Sequence, residues 1–135
     1  MIEKIRKYLI SQNIIDKKNR INIEFLSEKP TEFSIEKVPT NPILEKYIDG
    51  SSYRQFQFQL VSCNNYGAEL AQNISNSEFY ENFYNIIESK NKEKMLPDIP
   101  GIDTIECLDD GAIVDVTANT ARYSILMRIK YFKAK

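Results

Sequence analysis

Three aspartates near the C-terminal third, Asp109, Asp110 and Asp115, are the best carboxylate group in the sequence. Carboxylates gathered in this way suit a divalent cation, which prefers hard oxygen ligands. The same letters have a simpler use. Asp109-Asp110-Gly111 is what a hairpin turn requires, and Asp115 falls on the solvent side of the strand that follows. The turn is the stronger reading, so no metal ligand is assigned. Cys63 and Cys107 are the two candidate nucleophiles, but the chain contains no histidine, the commonest general base and neutral metal ligand. Nothing beside Cys63 in the sequence would activate it as a nucleophile. The two cysteines stand far apart and outside any CxxC spacing, which predicts a pair of buried thiols rather than a disulfide. No GxxxxGKS or GxGxxG segment occurs, and 4 glycines are few for loops that cradle phosphate. Carboxylates, tyrosine, lysine or cysteine could still serve in catalysis, but none of these residues is assigned a catalytic or cofactor-binding role.

Other residue types suit contact better than catalysis. In Arg54-Gln55-Phe56-Gln57-Phe58-Gln59-Leu60-Val61, apolar residues alternate with amides. An amide face can be covered by another chain at lower desolvation cost than lysine or glutamate, provided it finds hydrogen-bond partners. The 8 tyrosines are amphipathic rings suited to a core margin or an interface. Arg122, Arg128 and Lys130 form a basic strip on the last strand, read as a solvated face or a set of charge partners for another subunit. The 18 basic and 19 acidic residues leave a net charge of -1. That balance argues against a protein whose main affinity comes from neutralising phosphates.

The elements that must position these residues follow from periodicity. Ile2, Ile5 and Leu9 recur at helical spacing, predicting an amphipathic helix that ends near Asn13. Because charges interrupt its apolar positions, the N-terminal stretch reads as neither a signal peptide nor a membrane span. Ile21, Ile23 and Phe25 alternate as a short strand. Phe33 and Ile35 mark a second over 31–38, with Glu32, Ser34 and Glu36 on its other face, and Ser27-Glu28-Lys29-Pro30 is a turn that would join the two as a hairpin or a loose pair. From Pro39 to Ser52 the rhythm is lost. Two prolines oppose helix interior and central strand, and Ile43, Leu44, Tyr47 and Ile48 predict an ordered extended arm closed by the Asp49-Gly50 turn. A long strand then spans Tyr53 to Cys63.

A short helix is expected over 68–73. A second is expected from Ser75, whose spacing to Glu78 is that of a capping box and whose neighbours Ile74 and Phe79 could form a hydrophobic staple. Phe79, Phe83, Ile86 and Ile87 would be its buried stripe to about Lys90, with Tyr80 and Tyr84 at the margin. After a loop with Pro97, Pro100 and Gly101 come strands over 102–108 and from Ala112 through Val116. The last strand carries Ala121, Tyr123, Ile125, Met127, Ile129 and Tyr131 on one face, and its length of about eleven residues belongs inside a sheet. The 135 residues, 42% of them hydrophobic, suit one domain over 1–135. The fold class is α+β, a mainly antiparallel or mixed sheet with an N-terminal helix and a central helical segment packed on it.

The segments PTNPILEKYIDGSSYRQFQFQLVS, NNYGAELAQNISNSEFYENFYNIIE and TANTARYSILMRIKYF resemble the small bacteriophage proteins often labelled minor capsid protein. These are tail terminators of long-tailed phages of Gram-positive hosts and of related contractile particles. The resemblance covers about 39–132, including Asp49-Gly50-Ser51, Gln72-Asn73-Ile74 and Ala121-Arg122-Tyr123. It implies a structural virion protein without enzymatic activity or cofactor. Such a protein self-associates as a ring, commonly a hexamer, on the head-proximal end of the tail tube, where it stops tube growth. Its implied partners are the tail tube protein, head-completion or neck proteins and the sheath protein. DNA would pass the lumen without specific binding, no membrane is involved, and assembly takes place in the host cytoplasm. A head-completion or neck adaptor of the same particle, and an unrelated small enzyme or regulatory domain, are the alternatives. A closed ring needs one patch to meet a different patch on its neighbour. Ile43, Leu44, Tyr47, Gln57 and Gln59 are the expected subunit-contact residues, with Arg122 and Arg128 as charge partners.

Overall fold

The computed structural model describes residues 1–15, 21–24, 32–65, 70–116 and 120–135. In chain order the elements are α1 (Ile2–Ser11), β1 (Ile21–Ile23), β2 (Glu32–Val38), β3 (Ile43–Lys46), β4 (Ser52–Asn65), α2 (Leu70–Lys92), β5 (Ile102–Cys107), β6 (Ala112–Val116) and β7 (Thr120–Lys133). The fold is α+β, with an N-terminal helix, a central helix and a mixed seven-stranded sheet. Its spine is the antiparallel pair β4 and β7, matched residue for residue from Ser52 opposite Lys133 to Asn65 opposite Thr120. Unbroken alternation in both strands makes that register favourable. Leu60 meets Ile125, Phe58 meets Met127 and Phe56 meets Ile129, so a slip of one residue would turn every one of these pairs to the wrong face.

Each spine strand is flanked on its outer side by two shorter strands lying end to end. β2 runs along β4 from Gln57 to Cys63, and β3 runs along it from Ser52 to Arg54. On the far side, β5 pairs with β7 from Met127 to Tyr131 and β6 pairs with it from Ala121 to Ser124. Both helices cover one face. Ile5 and Leu9 of α1 and Phe83 and Ile87 of α2 join Phe33, Ile35, Phe58, Leu60, Ile105, Ile125, Met127 and Ile129 in a single buried cluster. The Tyr8 hydroxyl donates to the Met95 carbonyl, tying α1 to the loop after α2. Burial pushes that phenol up to about 12, so it remains a donor throughout the neutral range.

Several expectations need correction. Of the two arrangements expected for β1 and β2 the hairpin is not the one found: they form a parallel pair, Ile21 beside Phe33, which keeps both of these side chains in the core. Phe25 and the 27–30 turn lie outside the described residues. The proline-bearing arm contains an edge strand, β3, because Pro39 and Pro42 precede it and leave its own amides able to pair. The two expected central helices are one, Leu70–Lys92, and Ser75 lies in its interior rather than at a cap. With no proline or glycine in that span, interior Ser and Asn each cost only a few tenths of a kcal/mol, about 0.5, and the helix continues. Tyr80 is buried and Ile86 is exposed, so the stripe runs Phe79, Tyr80, Phe83, Ile87. Ser34, expected on the solvent side, is fully buried.

Asp109-Asp110-Gly111 also departs from the hairpin expectation. β5 and β6 do not pair with each other; both pair with β7, which at 14 residues is long enough to hold them in tandem. The three residues form a detour between the two strands. Leu108 N–H donates to the Leu126 carbonyl at 2.7 Å, while the Asp109 carboxylate accepts from Leu126 N–H at 3.2 Å and from Gly111 N–H at 2.9 Å. Asp109 therefore satisfies backbone donors that the detour would otherwise leave unpaired.

Candidate assembly surfaces

The arm residues gather at one corner of the sheet. Tyr47 N–H donates to the Ser51 carbonyl and Gly50 N–H to the Tyr47 carbonyl, a turn that ends β3 with Gly50 at φ 93°. The Asp49 carboxylate accepts from the Ser51 N–H and hydroxyl, and these bonds hold it below the usual carboxylate range. Turning Asp49 inward leaves Ile48 at the tip, where its side chain is wholly exposed at 109% of the reference area. Tyr47 packs against Phe132 with ring centroids 6.2 Å apart, and Leu44, Tyr47 and Phe132 are all exposed. Of the expected contact residues, the structure brings Ile43, Leu44 and Tyr47 together here, with Ile43 half-buried.

The amide face is partly closed by the chain itself. Gln55 is buried, its side-chain amide donating to the Asn41 carbonyl at 2.9 Å and to the Thr40 hydroxyl at 3.3 Å, while its N–H donates to the Pro42 carbonyl. Gln57 donates to the Gln55 side-chain oxygen at 3.2 Å. The lead-in segment thus covers the first glutamine, leaving Gln57 and Gln59 half-buried on the open part of the strand. Arg128 stands directly opposite Gln57, but its Nε donates to Glu106 at 2.7 Å across the β5–β7 pair, and Lys130 lies 3.8 Å from the same carboxylate. The basic strip is therefore engaged in part within the chain. Arg122, exposed, sits toward the other end of β7, apart from the rest.

That other end holds a feature periodicity did not indicate. β6 forms where it is expected, yet a bulge between Ile113 and Asp115 breaks its alternation, and Ile113, Val114 and Val116 are all exposed, as is Leu108 before the detour. Among the described residues β6 pairs only with β7, so its outer backbone edge borders no strand. Beside it opens a cleft of about 770 Å³ between α2 and the detour, lined by Tyr80, Tyr84, Leu108, Ile113 and Tyr123, with Glu81, Asp109 and Asp110 contributing acid and no basic residue among the described lining. Tyr80 and Tyr123 stack at 5.7 Å, and the Tyr80 hydroxyl shares a hydrogen bond with Ser62. Gly111 lies tight against Tyr80 at φ 86°, where a Cβ would come within 3.0 Å of the Tyr80 Cβ. The missed signal was available in kind: three β-branched residues in a five-residue strand next to a turn with two acids.

The groups considered for chemistry are dispersed. Cys63 is buried opposite Arg122 on β4, and Cys107 lies opposite Met127 on the far side of β7, so both are free thiols. Burial, then Asp109, Glu88 and Glu106, push the Cys107 thiol up to about 12. It is consequently a poor nucleophile. Alkylation of Cys107 at pH 8, followed by mass spectrometry of its peptide, should be roughly 100-fold slower in the native protein than in urea. Equal rates would mean that β5 does not bury this side chain as described. Asp109 and Asp110 line the cleft, and the side chain of Asp115 lies outside the described residues. Among the described residues no group of three His, Cys, Asp or Glu converges as a metal site.

No protein-family model matches the sequence, and no curated protein matches it.

Proposed function

We propose that this chain is a structural virion protein, a tail terminator that assembles as a ring on the head-proximal end of a tail tube, stops tube polymerisation and presents the surface on which the head is joined. The resemblance of the 39–132 segments to that family suggests the role. The structural observation in its favour is the pair of exposed apolar corners, one at the β3 turn and one along β6, placed on opposite sides and opposite ends of the β4–β7 spine. Two unlike patches on one chain are what head-to-tail association around a ring requires. The proposed partners are further copies of this chain, the tail tube protein and the head-completion proteins, with a hexamer as the proposed ring and DNA passing its lumen. In that setting the protein acts by shape and contact rather than catalysis.

Particles assembled without the protein, viewed by electron microscopy, provide the test. Loss of a terminator should give overlong, irregular tubes. Tails of normal length lying beside unjoined heads would overturn the terminator role and favour a neck adaptor, and particles unaffected in both respects would overturn a virion role altogether.

A further inference from the structure

Edge strands in soluble proteins are usually blunted by lysine, proline or short length, because an open apolar edge pairs with whatever strand it meets. β6 is kept short in this way, at 5 residues with a bulge between Ile113 and Asp115, yet it still exposes Ile113, Val114 and Val116, and the cleft beside it is a concavity of the size that takes a few side chains. At the diagonal corner the reverse shape is found: Ile48 projects from a tight turn, flanked by Tyr47 and Phe132. From Ser52 to Val61 along β4, these corners are separated by roughly 30 Å at about 3.4 Å per residue. A chain cannot bring its own projection to its own cleft across that distance. A second copy can.

Charge favours the same pairing. Among the described residues, the cleft lining includes Glu81, Asp109 and Asp110 and no cation. Around the projecting turn, Lys46 ends β3, Lys133 pairs opposite Ser52, and the Lys135 side chain lies against Gly50; all three are exposed. Three carboxylates, Glu45, Asp49 and Asp103, share that corner and keep their charge, but each turns back on the chain, Asp49 to Ser51, Glu45 to the Tyr47 hydroxyl at 3.5 Å and Asp103 to the Tyr53 hydroxyl. We infer that the β6 corner of one copy receives the Tyr47–Gly50 turn of the next, with Ile48 entering the cleft and the turn's lysines meeting its acidic rim. This deepens the ring reading above by naming its interface. The contact is heterologous, so it repeats from copy to copy until the ring closes.

The inference is tested by light scattering with size exclusion on the whole chain at ~100 µM, above the micromolar Kd expected of a modest interface. The wild-type protein should assemble, whereas Ile48→Asp and Ile113→Asp should each be monomeric with unchanged circular dichroism. Mixed in equal amounts the two variants should form a dimer and stop, since only one intact pair of corners remains between them. Ile113→Thr, which keeps the β-branch, serves if the aspartate variant misfolds, and should raise the dissociation constant about tenfold, as should Asp110→Lys. A monomeric wild type, a variant that assembles normally, or an Ile48→Asp protein that still dimerises would each overturn the inference. Particles made with the variants separate the two ideas. Variants that assemble normally and give normal tails refute this interface alone, while wild-type rings on tubes of uncontrolled length refute the terminator reading alone.

Discussion

Replacing Phe58 with alanine is expected to destabilise the fold by about 3–5 kcal/mol and to lower Tm by roughly 10–15 °C. Phe58 is fully buried on β4, opposite Met127 of β7 and Lys37 of β2, with Phe56 beside it at 6.1 Å between ring centroids. It sits in the middle of the spine, where helices cover one face and strands flank both sides. Neither strand can shift inward to fill the space without dragging the matched β4–β7 register, so the cavity should persist and contribute to the loss. Urea denaturation would measure it, with an unchanged slope showing that the unfolded state is unaffected. A loss below about 1.5 kcal/mol would mean that the β4–β7 interior is looser than its burial indicates. Since small domains have only about 5–15 kcal/mol in total, the variant should remain folded but assemble poorly on warming.

Residues whose partners are local were legible in the sequence. The alternation in 53–63 and 121–131 gave both spine strands, and Ile2, Ile5 and Leu9 gave α1, because a period of two or 3.6 depends on nothing beyond the segment itself. What a strand pairs with is a different matter. Asp-Asp-Gly predicts a reversal by local chemistry, but β7 offers an open side long enough for both β5 and β6, and the chain detours instead of turning back. The same limitation affected β1 and β2, which are parallel. At Ser75 a good capping signal was outweighed by a 23-residue span free of helix breakers. Tyr80 could not be told from Ile86 by hydrophobicity. Ser62 on the facing strand decides it, by giving the buried Tyr80 hydroxyl a partner.

The exposed apolar and amide surfaces were legible to a similar extent. Ile43, Leu44 and Tyr47 stood out as large apolar residues in a segment with no periodicity, and the turn does display two of them. The glutamines were read as one surface, yet the Thr40–Pro42 lead-in covers Gln55, a contact between segments that alternation along β4 cannot reveal. The β6 corner escaped notice because alternation of Ala112, Val114 and Val116 predicts one buried face, whereas a bulge between Ile113 and Asp115 breaks that face and burial depends on whether a helix reaches that far. α2 packs on β5 and leaves β6 exposed on both faces.

The second large effect is expected at Gly101, where alanine should cost about 2–4 kcal/mol. Its backbone lies at φ 75°, and a Cβ built there would stand 2.1 Å from the Phe132 carbonyl oxygen. The Phe132 N–H donates to the Gly101 carbonyl at 2.8 Å, so the two backbones meet where the chain leaves the loop after α2 and enters β5. A side chain at Gly101 must displace β7 at its end and with it the ring of Phe132 that supports Tyr47. Gly50→Ala is the control: its φ is 93°, but the nearest atoms, 3.3 Å away, belong to the flexible Lys135 side chain. The left-handed backbone alone should cost about 1 kcal/mol there. The difference between the two variants therefore isolates the close approach of Gly101 to Phe132, and equal losses in urea melts would show that this approach contributes nothing. Because Gly101 lies behind the projecting corner rather than on it, its substitution should also weaken self-association at temperatures where the protein is still folded. The displaced Phe132 would no longer hold the Tyr47–Gly50 turn in the shape proposed to enter the β6 cleft of the next copy.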